Sequence, residues 1–123
     1  MTIMQAISQV DGLKFNQYTH KDKVRWLSTV DAMVANVIMA AYEGEREPFT
    51  NYNPDEDMHR ELLIKAPFDE IYIRWMEAMI DYHNEERNGY NASITLYNSL
   101  LESYKAWYAR NHIPKSRGQR FLF

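Results

Sequence analysis

The chain contains no cysteine. That excludes disulfides, zinc–thiolate sites and cysteine nucleophiles, and it fits a reducing compartment. Glycine is scarce: Gly12, Gly44, Gly89 and Gly118 are all isolated, so no glycine-rich phosphate loop can be drawn. The chain does not open with cations followed by an apolar run, so no secretory signal is expected. The longest apolar runs fall far short of a bilayer crossing, and no membrane partner is expected. Excess positive charge is also missing. A formal net charge of −3 argues against a general nucleic-acid binder.

Catalytic and metal-binding patterns are equally hard to find. The histidines, His20, His59, His83 and His112, are scattered. Asp81, His83, Glu85 and Glu86 lie close together, but neighbours two apart point to different sides of a helix. No Glu-x-x-His pair of the di-iron kind occurs. Asp55, Glu56 and Asp57 form a run in a polar stretch, with no sign of the pocket that perturbs a catalytic carboxylate. Ser28, Ser93, Thr95 and Ser99 lie inside helical patterns without a nucleophile-elbow context. The expectation is a protein that is not an enzyme and uses no cofactor or metal.

What the chain does have is apolar and aromatic bulk. At 123 residues it is long enough for one domain, and 46% hydrophobic residues suffice for a core. Nine tyrosines and three tryptophans are many for this length. Such residues fill cores and are also favoured at protein–protein interfaces. Charge is unevenly placed. Glu43 to Leu62 holds seven acids against Arg46 and Arg60, whereas Lys105 to Phe123 holds five bases and no acid. An acidic loop and a basic end suit head-to-tail pairing of copies.

Apolar spacing predicts an all-α fold with helices over about 2–12, 19–43, 69–86 and 89–112. It would be a small bundle built on a long C-terminal helical hairpin packed on a long second helix. Gly12 is expected to end the first helix, and Thr19 with Asp22 to open the second. The second helix would present Leu27, Val30, Val34, Val37, Ile38 and Ala41 to the core, widened by Trp26, Met33 and Ala40, with Gly44 at its C-terminal cap. Residues 44–68 carry Pro48, Pro54 and Pro67 and read as a long irregular loop, of which Glu45 to Asp57 is expected on the surface of the subunit and in contact with a neighbour in the assembly. Within it, Leu62 to Ile64 is either a short extended piece or a cover over the core. Asp69 is placed to cap the third helix. That helix would turn Ile71, Trp75, Ala78, Met79 and Tyr82 inward, and Asn88-Gly89 would break it from the fourth, unless the two form one long kinked helix. Tyr90, Ile94, Tyr97, Leu101, Tyr104 and Tyr108 share one face of the fourth helix, which Pro114 stops. That face could serve as a nucleic-acid stacking platform. Core packing is the better reading, because the aromatics keep helical period and Arg74, Arg87 and Arg110 are dispersed. Trp75, Tyr97, Leu101, Leu27 and Val34 are therefore expected to be buried.

The helical domain would occupy 1–114, followed by a tail over 115–123. The tail sets Phe121, Leu122 and Phe123 beside Lys115, Arg117 and Arg120. It either folds back on its own domain or docks in a partner's groove. Phe49 and Tyr52 stand out as aromatic anchors in the polar loop.

The strings PFDEIYIRWMEAMIDYHNEE and YNASITLYNSLLESYKAWYARNHIPK resemble head–tail connector (adaptor) proteins of tailed phages and prophages. LKFNQYTHKDKVRWLSTVDAMV, the loop with Phe49-Thr50-Asn51-Tyr52 and the Arg-Phe-Leu-Phe end fit the same pattern, so the resemblance covers nearly the whole chain. It implies an all-helical virion subunit, assembled in the host cytoplasm. Roughly twelve copies would form a ring by head-to-tail contacts. The ring would lie beneath the portal protein, contact a downstream tail or stopper protein, and pass DNA without sequence-specific binding. The tail over 115–123 would be the arm that reaches the portal side. The alternative is a small helical binding or regulatory module that acts through its aromatic hairpin.

Overall fold

The computed structural model describes residues 1–115. Two threonines set the first two helices. The Thr2 hydroxyl accepts from the Gln5 amide (3.1 Å), and the Gln5 side chain accepts from the Thr2 amide (2.8 Å). This reciprocal cap opens α1, Ile3–Leu13. Thr19 and Asp22 repeat it at 3.1 and 3.2 Å and open α2, His20–Met33. Helix α3 is Glu70–His83 and α4 is Arg87–Asn111. No strand occurs among the described residues, so the fold is an all-α bundle.

Helix α3 sits at the centre. Ile71, Tyr72, Ile73, Met76, Ala78 and Ile80 are buried, so it is apolar on nearly every side. Helices α1 and α2 pack on it and on each other, while α4 lies along it as the second arm of a helical hairpin. Two ion pairs with buried partners fasten the α1 end. Lys23, nearly fully buried, reaches Asp11 at 2.7 Å. Lys14 grips both carboxylate oxygens of Asp81 at 2.7 Å. Burial pushes Asp11 upward, but hydrogen bonds from Lys23 and Asn16 outweigh it and hold that carboxyl below its ordinary value.

Several elements depart from the sequence expectation. Helix α1 runs one residue past Gly12. After Met33 the second helix widens into a π-helical turn, Val34–Ile38, and then tightens into a 3₁₀ turn, Met39–Ala41. The wider turn carries Val37 off the buried face to 65% exposure and leaves Ala40 and Ala41 outside as well. By length and composition the helical stretch His20–Ala41 is apolar enough to cross a bilayer, more than its short apolar runs suggested. Its apolar face, with Val24, Leu27, Val30 and Val34, is instead buried in the bundle.

The hairpin turn is Asn84 to Glu86, with Glu85 at φ 60; Asn88 and Gly89 already belong to the first turn of α4. Gly89 is required there for space, because a Cβ would lie 2.5 Å from the Asp81 carboxylate. Asp69 makes no side-chain cap and points toward the Met1 amine, 3.7 Å away. Trp75, Leu101, Met79, Tyr90 and Ile94 are half-buried rather than buried, and Tyr82 is 60% exposed.

The long segment between α2 and α3 is mostly exposed over Glu45 to Asp57, as expected, with Tyr52 as the buried exception, and it is tied to the bundle further on. Its Met58 and Arg60 carbonyls accept from the Met4 and Ile3 amides (2.8 and 3.1 Å), two of the donors a helix leaves unpaired at its start. Leu62 and Ile64 are fully buried and close the core.

Two stability outcomes follow. Ile80→Ala removes a fully buried side chain and is expected to cost about 2–5 kcal/mol in urea unfolding, whereas half-buried Leu101→Ala should cost less than about 2 kcal/mol. Gly89→Ala gains about 1 kcal/mol of helix propensity, yet it should destabilise because its methyl meets Asp81. In an Asp81→Ala background the same change should stabilise.

Candidate functional site

Tyr52, expected as an exposed anchor, is 6% exposed and belongs to the core. Its hydroxyl donates to one oxygen of Asp31 at 2.5 Å. The Tyr72 hydroxyl donates to the other at 2.5 Å, and the Leu63 amide adds a third bond at 3.1 Å. The Ile64 amide donates to the Tyr72 oxygen (2.7 Å), and the Tyr52 amide to Ser28 Oγ (2.9 Å). Asp31 is fully buried. Burial pushes its carboxyl up; bonds from Tyr52, Tyr72 and Leu63 pull it part of the way back, and the net direction is upward. Burial, with Asp31 alongside, raises both phenols, so they remain protonated donors. Every hydrogen-bond partner of Asp31 among the described residues comes from the chain itself, and the carboxyl is fully buried. The cluster is a structural hub.

The accessible site lies at the far end of α4. That helix has 25 residues and α3 has 14, lengths of about 37 and 21 Å. The last turns of α4 therefore outrun α3, and the loop packs beside them. Phe68 lies against Tyr104 and Trp107 at ring distances of 5.6 and 5.5 Å. Tyr42 meets Tyr108 edge-on at 5.2 Å, and the Tyr108 and His112 rings stack at 3.6 Å. Burial raises the Tyr104 phenol to about 12.

Between loop and helix opens a groove of about 550 Å³. Phe49, Leu63, Phe68, Trp107 and Tyr108 supply apolar lining, and Arg46, Arg60 and Lys65 are the cations, against one acid, Glu47. Arg46 donates to the Tyr108 hydroxyl at 2.9 Å and to the Tyr42 carbonyl at 3.3 Å; its partners among the described residues are neutral. Arg60 lies over the Tyr52 ring at 5.4 Å, with Asp57 at 3.8 Å, and Lys65 has Glu61 at 3.7 Å. Arg60, Lys65 and Glu61 are exposed and Asp57 is half-buried, so both pairs contribute little. The arrangement suits an aromatic or apolar side chain with anionic neighbours.

Of the residues singled out in sequence, Phe49 is half-buried in this groove and packs edge-on against Tyr52 at 5.3 Å. Lys115 is exposed, and its amide donates to the Ala41 carbonyl at 3.0 Å. Together with the Glu43 amide donating to Ile113 (2.7 Å), this ties the chain after α4 to the end of the second helix, beside the groove. Arg117, Arg120, Phe121, Leu122 and Phe123 lie outside the described residues. Phe68 and Trp107 carried no expectation from the sequence, and Arg46 and His112 stood there only as a loop base and a scattered histidine. The available signal was a fourth apolar pattern much longer than the third. Among the described residues, no group of three or more histidines and carboxylates is placed to hold a metal ion. Comparison with family models, curated proteins and solved structures yields no match.

Raising the Asp31 carboxyl gives stability a defined pH dependence. The folded chain binds that proton more tightly than the unfolded chain, so the contribution is fully present below 3.8 and is lost as pH rises through the raised folded value. Asp31→Asn keeps the shape and removes the titration. The free-energy difference between wild type and Asp31→Asn in urea should therefore change across that interval and level off above it. A constant difference would show that Asp31 titrates normally.

Proposed function

We propose that this chain is a structural subunit of a tailed-phage virion, a head–tail connector that forms a ring beneath the portal and extends the DNA channel to the tail. In this reading it is not an enzyme. Its partners are further copies of itself, the portal protein and a downstream tail or stopper protein; DNA passes without sequence-specific contacts. It is assembled in the host cytoplasm and resides at the head–tail interface of the virion.

One observation carries most weight beside the resemblance of the hairpin strings. The aromatic, cation-edged groove lies where α4 ends and the segment 115–123 departs. A subunit that joins unlike neighbours needs a docking site and an arm; in this reading the groove is the first, and the segment that follows Lys115 is the second. Lys115, Arg117 and Arg120 steer the arm to an acidic surface, and Phe121, Leu122 and Phe123 anchor it. A binding module acting through the hairpin's aromatics is less favoured, because Tyr97, Tyr104 and Tyr108 are buried within the chain.

Deleting residues 116–123 should leave the circular-dichroism helicity unchanged and sharply reduce capture by portal-bearing capsids. Phe121→Ala with Phe123→Ala should reproduce most of the loss. Full capture by the well-folded truncation would rule out the docking arm.

A further inference from the structure

The end of the molecule opposite the groove presents an aromatic side chain with no aromatic partner among the described residues. Phe15 is 97% exposed and Leu13 62%. Exposed phenylalanines are ordinary on loose loops, but this connector is held on both sides. Lys14 is clamped to Asp81 at 2.7 Å. Asn16 donates to Asp11 at 3.1 Å and to the Lys14 carbonyl at 3.0 Å, and accepts from the Tyr18 amide at 3.1 Å. Gln17 and Tyr18 both donate to the Asn84 side chain, at 3.3 and 2.7 Å. The backbone that carries Phe15 is thus fastened to α1 and to the hairpin turn, so little ordering remains to be done on binding.

The residues that line the two ends differ in charge. Beside the connector the hairpin turn carries Glu85 and Glu86, both exposed, next to exposed Tyr82 and with Arg87 as the cation. Lys14 is already neutralised by Asp81. In the groove Arg46 has only neutral partners among the described residues, whereas Arg60 and Lys65 already face Asp57 and Glu61 at the solvent edge; the lining acid is Glu47, and the floor is aromatic. About 37 Å of α4 separates the turn from the groove's end, so Phe15 cannot enter the groove of its own chain.

We propose that Phe15 of one copy seats in the groove of the next, over Phe68 and Trp107, while Glu85 and Glu86 face Arg46, Arg60 and Lys65. The occupant of the groove is therefore a second copy of this chain. The contact joins two different surfaces, so it repeats, and a repeated contact of this type closes into a ring or extends as a filament. For that consequence it rests on the connector reading. A groove of about 550 Å³ lies within the range of roughly 300–1,000 Å³ that binding clefts occupy.

The chain's lack of cysteine makes the test direct. Leu13→Cys places a thiol beside Phe15 without removing it, and Ala66→Cys places one in the groove lining. Mixed under mild oxidation, these two variants should form a disulfide-linked pair far faster than either variant alone. Adding Phe15→Asp to the first should weaken the association by at least about tenfold. Arg46→Glu should weaken it too, and Glu86→Arg in the partner should restore part of the loss. Linkage no faster than for the single variants would overturn the contact, whether the protein is a monomer or oligomerises through another surface. Specific linkage by a protein that portal-bearing capsids never capture would instead count against the connector reading and leave the contact standing.

Discussion

A single carboxylate governs how this chain closes. Asp31 is an acid at full burial, and taking it out of water costs several kcal/mol unless its lone pairs are met. Its donors come from separate places: Tyr52 in the middle of the long loop, Leu63 near its end, and Tyr72 on α3. None can withdraw without leaving an oxygen of the buried carboxyl short of a donor. The loop is therefore fixed from within, although most of its residues are polar. The groove follows from this, because Arg46, Phe49, Arg60, Leu63 and Lys65 all ride on that loop. A fully satisfied buried network of this kind specifies one arrangement of the segments that feed it.

The second constraint is a mismatch of lengths. Helix α3 is buried on nearly every side and stops after 14 residues; α4 continues for 25 and keeps an aromatic face beyond the point where α3 ends. That face needs cover, and the loop supplies Phe68 and Tyr42. The cover is incomplete, and Trp107 remains 38% exposed at the groove. At the other end, the pairs Lys14–Asp81 and Lys23–Asp11 hold the short connector down and leave Phe15 projecting. Helix α4 thus works as a spacer between an apolar projection with acids near it and an aromatic recess with cations around it.

The all-α character, the number of helices and their approximate limits were legible in the residues themselves. Local chemistry carries that information: the Thr19–Asp22 cap, apolar positions at steps of three and four, and Pro114 after the last helix. Leu27, Val34 and Tyr97 are buried as their spacing indicated. The misses have a common origin. Val37, Tyr82 and Leu101 sit at core-facing steps, but which side of a helix is covered, and for how much of its length, depends on what lies against it. Turn chemistry misled at Asn88-Gly89 for a related reason. That glycine serves close approach to the Asp81 carboxylate, a contact between two helices, and the break falls at Asn84 to Glu86 instead.

By itself the sequence determined a helical domain without thiol chemistry, rich in aromatics and polarised in charge, because these properties reside in single residues and their near neighbours. Only the tertiary structure decided that Tyr52 is a core donor and not a surface anchor, that the loop is pinned by Asp31, and that Phe15 and the Trp107 groove stand at opposite ends. Each of these depends on pairs more than twenty residues apart, Asp31 with Tyr52 and Tyr72, or Lys14 with Asp81. Such pairing is chosen by the total burial and hydrogen bonding of the closed chain, and no local pattern encodes it.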